Sequence, residues 1–198
     1  MSIELFAIDL PLRVRPERPM SDSEFMQFCA ANEPNRFELD ANGEILVMSP
    51  TGSAGGGAET EATIELGIWA RTDGRGKVFG PNAGFKLPDG SVRAADAAWV
   101  SWTKWNALTG EQQRGFAPIC PEFVIEVRSE SDRLPALHQK KGLWVANGAE
   151  IAWLIDPFER LVSVYRAGDG PEHLTDPSSI QGTGPIAGFE LVLSRIWS

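Results

Sequence analysis

The stretch "PEFVIEVRSESDRLPALHQKK", residues 121–141, begins as a strongly apolar run and carries Glu126 in its middle. In an extended chain the period of two puts Glu122, Val124, Glu126 and Arg128 on one face, with Phe123, Ile125 and Val127 on the other. A half-exposed face, with Glu126 solvated or paired to Arg128, is one account of that pattern. A second acid fits such an account less well. In "SVRAADAAWV" the same period groups Val92, Ala94, Asp96, Ala98 and Val100, so Asp96 is the only charge in a row of small apolar residues. An ionised carboxylate there needs a partner, a shifted pKa or water at a strand end. If both segments join one sheet, the two acids converge, and they repel unless a cation separates them. Hard oxygen ligands with room for water suit magnesium or manganese.

The segment after Glu126 supplies lysines. A helix is predicted over about 133–147, and its apolar stripe is Leu134, Leu137, Trp144 and Val145. Lys141 points near the centre of that stripe and Lys140 lies at its edge, about 100° away. Either lysine is a snorkelling side chain covering apolar surface or is aimed at the acids, to position a water or stabilise charge on a phosphate. Spacing alone does not choose between the two.

These residues need elements to hold them. Residues 3–15, "IELFAIDLPLRVR", read as an edge strand limited by Pro11. Ser21 and Glu24 form a capping-box pattern, so a short helix follows. "RFELDANGEILVMSP" reads as a hairpin around Asn42-Gly43. Gly55 to Gly57 lack a phosphate-loop ending and are expected to be a flexible entry into a helix of about 58–72, with Ala62, Leu66 and Trp69 on one side. "KVFGPNAGFKL" and "SVRAADAAWVSW" are predicted as two strands split by a turn at Pro88-Asp89-Gly90. "TKWNALTGEQQRGF" is predicted helical, with Thr109 and Gln112 as a second capping pair. "EFVIEV" is a strand, Asn147-Gly148 stops the helix after it, and "EIAWLIDPFERLVSVYR" is a hairpin turning at Asp156-Pro157. "FELVLSRIW" is a final strand ending at Trp197. A mixed sheet with helices packed against it, in the α/β or α+β class, fits this order.

Composition sets outer limits. The 198 residues are expected to form a single domain, 1–198, with its core at about 36–166. Apolar residues make up 42% and charged residues 23%, a soluble globular balance. No run reaches the length of a membrane span and no secretory leader pattern opens the chain, so the expected location is cytoplasmic. Cys29 and Cys120 lack metal-type spacing and are expected to be reduced packing residues. A formal charge of −9, with no basic run, argues against constitutive coating of nucleic acid, but not against an enzyme whose site uses acids to hold metal. Trp99, Trp102 and Trp105 belong either to the core or to the face of a homodimer.

The succession "RFELDANGEILVMSPTG", "GFKLPDGSVRAADAAWVS", "CPEFVIEVRSESD", "HQKKGLWVANGAEIAWLIDP" and "VSVYR" closely resembles the Uma-two family of bacterial endonucleases, from about Arg36 to Trp197. The resemblance implies the restriction-endonuclease-like, PD-(D/E)XK fold: an αβββαβ-type core, here a mixed sheet flanked by helices with extra N-terminal and C-terminal strands. The family's proline-aspartate pair falls on Ala95-Asp96, so the aspartate is kept and the proline is not. Its glutamate falls on Glu126, and the superfamily's usual lysine falls on Arg128. A guanidinium binds phosphate but does not readily give up a proton. In this family a lysine four residues before an aromatic takes that place, which is Lys140 before Trp144, with Lys141 as the rival. Glu38 matches a family glutamate that completes the metal site; its other account is an ordinary charged strand residue.

The implied chemistry is hydrolysis of a nucleic-acid phosphodiester, DNA first. Asp96, Glu126 and the backbone carbonyl of Val127 would hold Mg2+ or Mn2+, and Lys140 and Glu38 would assist. No membrane partner is expected. The contrasting expectation is a catalytically silent scaffold or interaction protein that keeps the nuclease fold; a phosphodiesterase acting on small molecules is a third.

Overall fold

A computed structural model of the chain describes residues 12–48, 50–130 and 142–197. In chain order the first part comprises β1 (Leu12–Val14), α1 (Asp22–Ala31), β2 (Arg36–Leu39), β3 (Ile45–Met48) and α2 (Ser53–Asp73). It continues with β4 (Gly76–Phe79), β5 (Phe85–Lys86), β6 (Val92–Arg93), β7 (Ala97–Ser101), α3 (Trp102–Asn106) and α4 (Gly110–Arg114). The last strands are β8 (Phe123–Val127), β9 (Ile151–Asp156), β10 (Leu161–Arg166), β11 (Glu172–Thr175), β12 (Ser179–Gln181) and β13 (Glu190–Val192).

The main sheet has six strands in the order β11-β10-β9-β8-β7-β4. β8 and β9 are parallel and their other neighbours antiparallel, so the sheet is mixed. A parallel pair needs a crossover, and residues 142–146 of that crossover are helical. A five-stranded sheet, β1-β3-β2-β6-β5, stands beside the main one, and β12 pairs with β13 separately.

Several local signals behave as their chemistry dictates. Ser21 Oγ accepts from the Glu24 N–H while the Glu24 carboxylate accepts from the Ser21 N–H, and Thr109 and Gln112 repeat the arrangement. The turn between β2 and β3 uses Gly43 at φ 80°, a conformation that costs glycine nothing. The β9–β10 hairpin turns after Asp156, whose Oδ1 accepts from Phe158 N at 3.0 Å.

Four expectations need correction. α2 begins at Ser53, so Gly55 to Gly57 are its first turns rather than a flexible entry. Glycines disfavour a helix by about 0.5–1 kcal/mol each, but the stripe Ala58, Ala62, Leu66 and Ala70 is buried on the main sheet and outweighs them. Second, residues 77–102 make four strands, not two: β5 and β6 belong to the small sheet, β4 and β7 to the large one. The chain leaves one sheet for the other between Arg93 and Ala97, with a bend at Asp96. Third, β8 has no exposed face; all five residues are buried, because α2 covers one side of the sheet and the crossover helix the other. Finally, the last strand stops at Val192 and Leu193–Arg195 form a single 3-10 turn. Leu134 and Leu137 of the predicted stripe, and residues 3–11 of the first predicted strand, lie outside the described residues.

The core has one part on each side of the main sheet. Beneath α2, Leu66 and Ala62 meet Trp99, Phe123, Trp153 and Phe189, and the Trp153 and Phe189 rings stack with centroids 5.6 Å apart. On the opposite face Val124, Ala98 and Ala152 meet Trp144, Phe85 and Cys120. The small sheet closes over Phe25 of α1 with Leu39, Ile45 and Val92.

Leu66→Ala opens a cavity under the middle of α2 and is expected to cost about 2–5 kcal/mol, read as a lower urea midpoint with an unchanged slope. Burial pushes the Cys120 thiol up to about 12 from its ordinary 9.0. A raised native pKa means stability that is complete below the unfolded value and is lost as pH rises from about 9 towards about 12. Cys120→Ala is expected to flatten that part of the wild-type stability profile in urea titrations.

Candidate active site

The site forms where the two sheets part. Ala97 of β7 lies opposite Ile125 of β8, so Asp96, one residue earlier, comes beside Glu126. β7 does not extend far enough to offer a main-chain acceptor to Val127. The Asp96 carboxylate supplies one instead, with Oδ2 accepting from Val127 N at 2.8 Å. In an extended residue N–H and C=O point to the same strand edge, so the Val127 carbonyl is directed to the Asp96 side as well. The start of β7 is held from below by α2: Thr63 Oγ1 donates to the Asp96 carbonyl at 3.2 Å and to that of Glu59 at 2.9 Å.

Glu126 is 3% exposed and shares the Val124 side of β8, facing the crossover helix. Trp144, fully buried, donates its indole Nε1–H to Glu126 Oε1 at 2.9 Å. Arg128 is not Glu126's partner. Its guanidinium donates to Asp156 Oδ2 at 2.8 Å and lies 5.3 Å over the Phe158 ring. The position of the superfamily's usual lysine is therefore occupied by a cation tied to the end of β9.

Glu38, on β2, is also 3% exposed. Leu39 pairs with Val92, which sets Glu38 beside Arg93, and its Oε2 accepts from Arg93 Nη1 at 2.9 Å. Its other oxygen accepts from Ala94 N at 3.3 Å. Glu38 thus grips the main chain two residues before Asp96. Glu38, Asp96 and Glu126 each make further interactions besides these. Among the described residues no three His, Cys, Asp or Glu side chains gather as a metal cluster. Asp96 and Glu126 lie side by side next to a main-chain carbonyl, while Glu38, at the same junction, is turned to Arg93 and Ala94 N.

The Trp144 helix is anchored at its end. Asn147 Oδ1 accepts from Asp89 N at 2.9 Å, and its Nδ2 donates to Asp89 Oδ2 at 3.1 Å. Burial opposes the charge of Asp89, but hydrogen bonds from Ser91 and Asn147, with Arg93 nearby, outweigh it and hold the carboxyl below its ordinary 3.8. The turn 88–90 and the crossover helix are therefore fixed to each other.

Lys140 and Lys141 lie outside the described residues. Sequence reasoning also passed over the partners of the acids. Trp144 is apolar by its spacing, and only the rule that buried indole N–H groups find acceptors singles it out. Arg93 carries no local signal and becomes the partner of Glu38 through the pairing β2–β6; Asp156, legible only as a turn residue, becomes the partner of Arg128 through β8–β9.

The family model described as "Uma2: Putative restriction endonuclease" matches residues 22–194, and the chain belongs to that family. The chain also superposes on a crystal structure titled as a "putative nuclease belonging to DUF820" from Anabaena variabilis, with a TM-score of 0.71 and 18% identity over 90% of this chain and 98% of that one. At that identity the likeness concerns the fold. No curated protein matches.

Trp144→Phe removes a donor from a buried carboxylate and is expected to cost about 1.5–3 kcal/mol in urea unfolding. In a double-mutant cycle with Glu126→Gln the losses should be non-additive by at least about 0.5 kcal/mol; additive losses would mean the bond is absent in solution. Arg93→Met, which strands Glu38, should cost about 3–5 kcal/mol, and adding Glu38→Leu should recover most of it.

Proposed function

We propose that this chain is a metal-dependent endonuclease that hydrolyses phosphodiester bonds in nucleic acid, with DNA as its substrate. One observation carries the proposal. Two carboxylates, Asp96 at 9% exposure in the bend just before β7 and Glu126 at 3% on the adjacent β8, come to neighbouring positions in a member of the family described as "Putative restriction endonuclease". Two such charges repel, and the repulsion is strengthened by burial. Val127 N donates to Asp96 and Trp144 Nε1 to Glu126, which fixes where the two carboxylates stand.

The donor chemistry fits magnesium or manganese: two carboxylates and the Val127 carbonyl are hard oxygens without sulfur or imidazole. Such an ion, when bound, supplies an acidified water and offsets charge on the scissile phosphate. The chain's own groups do the rest. Val127 N and the Thr63 hydroxyl fix Asp96, and Trp144 fixes Glu126. Glu38 steadies the approach to Asp96 through Ala94 N, and in the family pattern it assists the metal. Lys140 is assigned the amine that orients the water or stabilises developing charge, with Lys141 as the alternative. Arg128, bound to Asp156, is left out of that role.

The silent-scaffold reading has its own support: Arg93 and Asp156 already occupy Glu38 and Arg128, and the chain carries a charge of −9. Calorimetry with manganese and a plasmid-cleavage assay decide between them. Wild type is expected to bind the ion and nick supercoiled plasmid, and Asp96→Ala to abolish the binding heat. Lys140→Ala should bind the ion yet cleave on the order of 100-fold more slowly, with Lys141→Ala near wild type. Ion binding without cleavage of DNA or RNA favours the scaffold, and equal heats from wild type and Asp96→Ala remove the metal site altogether.

A further inference from the structure

The outward face of α2 is apolar at its centre. Ile64 and Ile68 are 46% and 54% exposed, although they lie opposite the buried stripe Ala58, Ala62, Leu66 and Ala70. They are one turn apart and form a continuous ridge. On the flank of that ridge a groove of about 730 Å³ runs between α2 and β4, and Trp102, 40% exposed, stands on its far wall. β4 is the last described strand on that side of the main sheet. The two isoleucines and the groove beside them form a small apolar patch flanked by charge, and an interface would cover it.

The residues around the ridge identify the occupant. Glu61 precedes Ile64 by three positions and Arg71 follows Ile68 by three; Thr60 and Thr72 lie just beyond. The series is its own complement when the helix direction is reversed about position 66. Ile64 then maps onto Ile68, Glu61 onto Arg71 and Thr60 onto Thr72. We propose that this face is the interface of a homodimer in which the two α2 helices pack antiparallel around a two-fold axis.

In that arrangement Ile64 packs on the partner's Ile68 twice, and Glu61 meets the partner's Arg71 twice, as an isologous contact requires. Parallel packing would set Glu61 beside Glu61. A nucleic-acid ligand would want one sign of charge along the ridge, and this ridge carries both in reciprocal places. Gly57 and Gly67 keep the relief low beside the isoleucines: a Cβ built on either meets nothing within 4 Å. Glu61 has a contact with Arg195 at 3.7 Å, but Arg195 is 69% exposed, and an exposed pair so far apart holds little. The proposal is independent of the nuclease reading.

Sedimentation velocity on the full chain tests it. Wild type is expected at twice the chain mass, and Ile64→Asp with Ile68→Asp at the chain mass with an unchanged far-ultraviolet CD spectrum. Glu61→Arg alone and Arg71→Glu alone should each weaken the dimer roughly tenfold or more, and the two together should restore it, because the swap regenerates both ion pairs. Glu61 is half-buried and Arg71 exposed, both outside the packed core, so these charge changes keep the test decisive if the aspartate variant folds poorly. A wild type that remains monomeric at its highest soluble concentration overturns the proposal. So does a dimer indifferent to the isoleucine changes, or a double charge swap no better than either single one.

Discussion

The structure turns on one constraint: Glu126 sits in a strand covered on both faces. β8 lies between β7 and β9 with α2 below and the crossover helix above, so its carboxylate is almost wholly withdrawn from bulk water. A buried charge without partners costs several kcal/mol. The fold meets this with an indole N–H delivered by the crossover helix and with a second acid, Asp96, whose own carboxylate completes the hydrogen bonding of β8 where β7 has ended. The placement of Trp144, the early stop of β7 and the bend at Asp96 are consequences of the same demand.

The junction of the two sheets obeys a related logic. Glu38 is answered by Arg93 and Ala94 N, and Asp156 by Arg128 and its own turn. The Glu38–Arg93 pair joins neighbouring strands of the small sheet, β2 and β6, and the Arg128–Asp156 pair joins the ends of the parallel strands β8 and β9. Buried pairs add little net stability over apolar replacements, so their use here is geometric: they fix strand ends, and the Glu38 contact to Ala94 N fixes the chain where it leaves the small sheet for the large one. Among the described residues, Arg93 Nε, Trp99 Nε1 and Arg128 Nε are buried donors without a hydrogen-bond acceptor, at the edges of these same contacts or under α2.

The acidic balance also looks different in three dimensions. Among the described residues Glu38, Asp40, Asp96, Glu122, Glu126 and Asp156 are buried, against one buried base, Arg93. Part of the −9 charge is thus interior and bound to protein donors. The protein surface is less acidic than the sequence count, which eases the conflict between an acidic chain and membership of a family described as "Putative restriction endonuclease".

Local chemistry was readable without coordinates. The capping boxes at Ser21 and Thr109, the glycine turn at Gly43, the β9–β10 hairpin and the helix stop at Asn147-Gly148 depend on contacts between residues a few positions apart, and their side-chain types declare them. The likeness that led to the family rested on the order of such blocks. Asp96 stood out because a lone charge in an apolar row is costly wherever it falls, and Glu126 because it interrupts a strongly apolar run. What the linear chain withheld was every decision made between distant residues. The period of two in "SVRAADAAWV" does not disclose that the chain changes sheets at Asp96, nor that both faces of β8 are covered. Gly55 to Gly57 read as loop until α2 packs on the sheet and pulls them into its first turns. Residue types record what a side chain is able to do; the partner it does it with is set by strand order and layer packing, which local preferences do not encode.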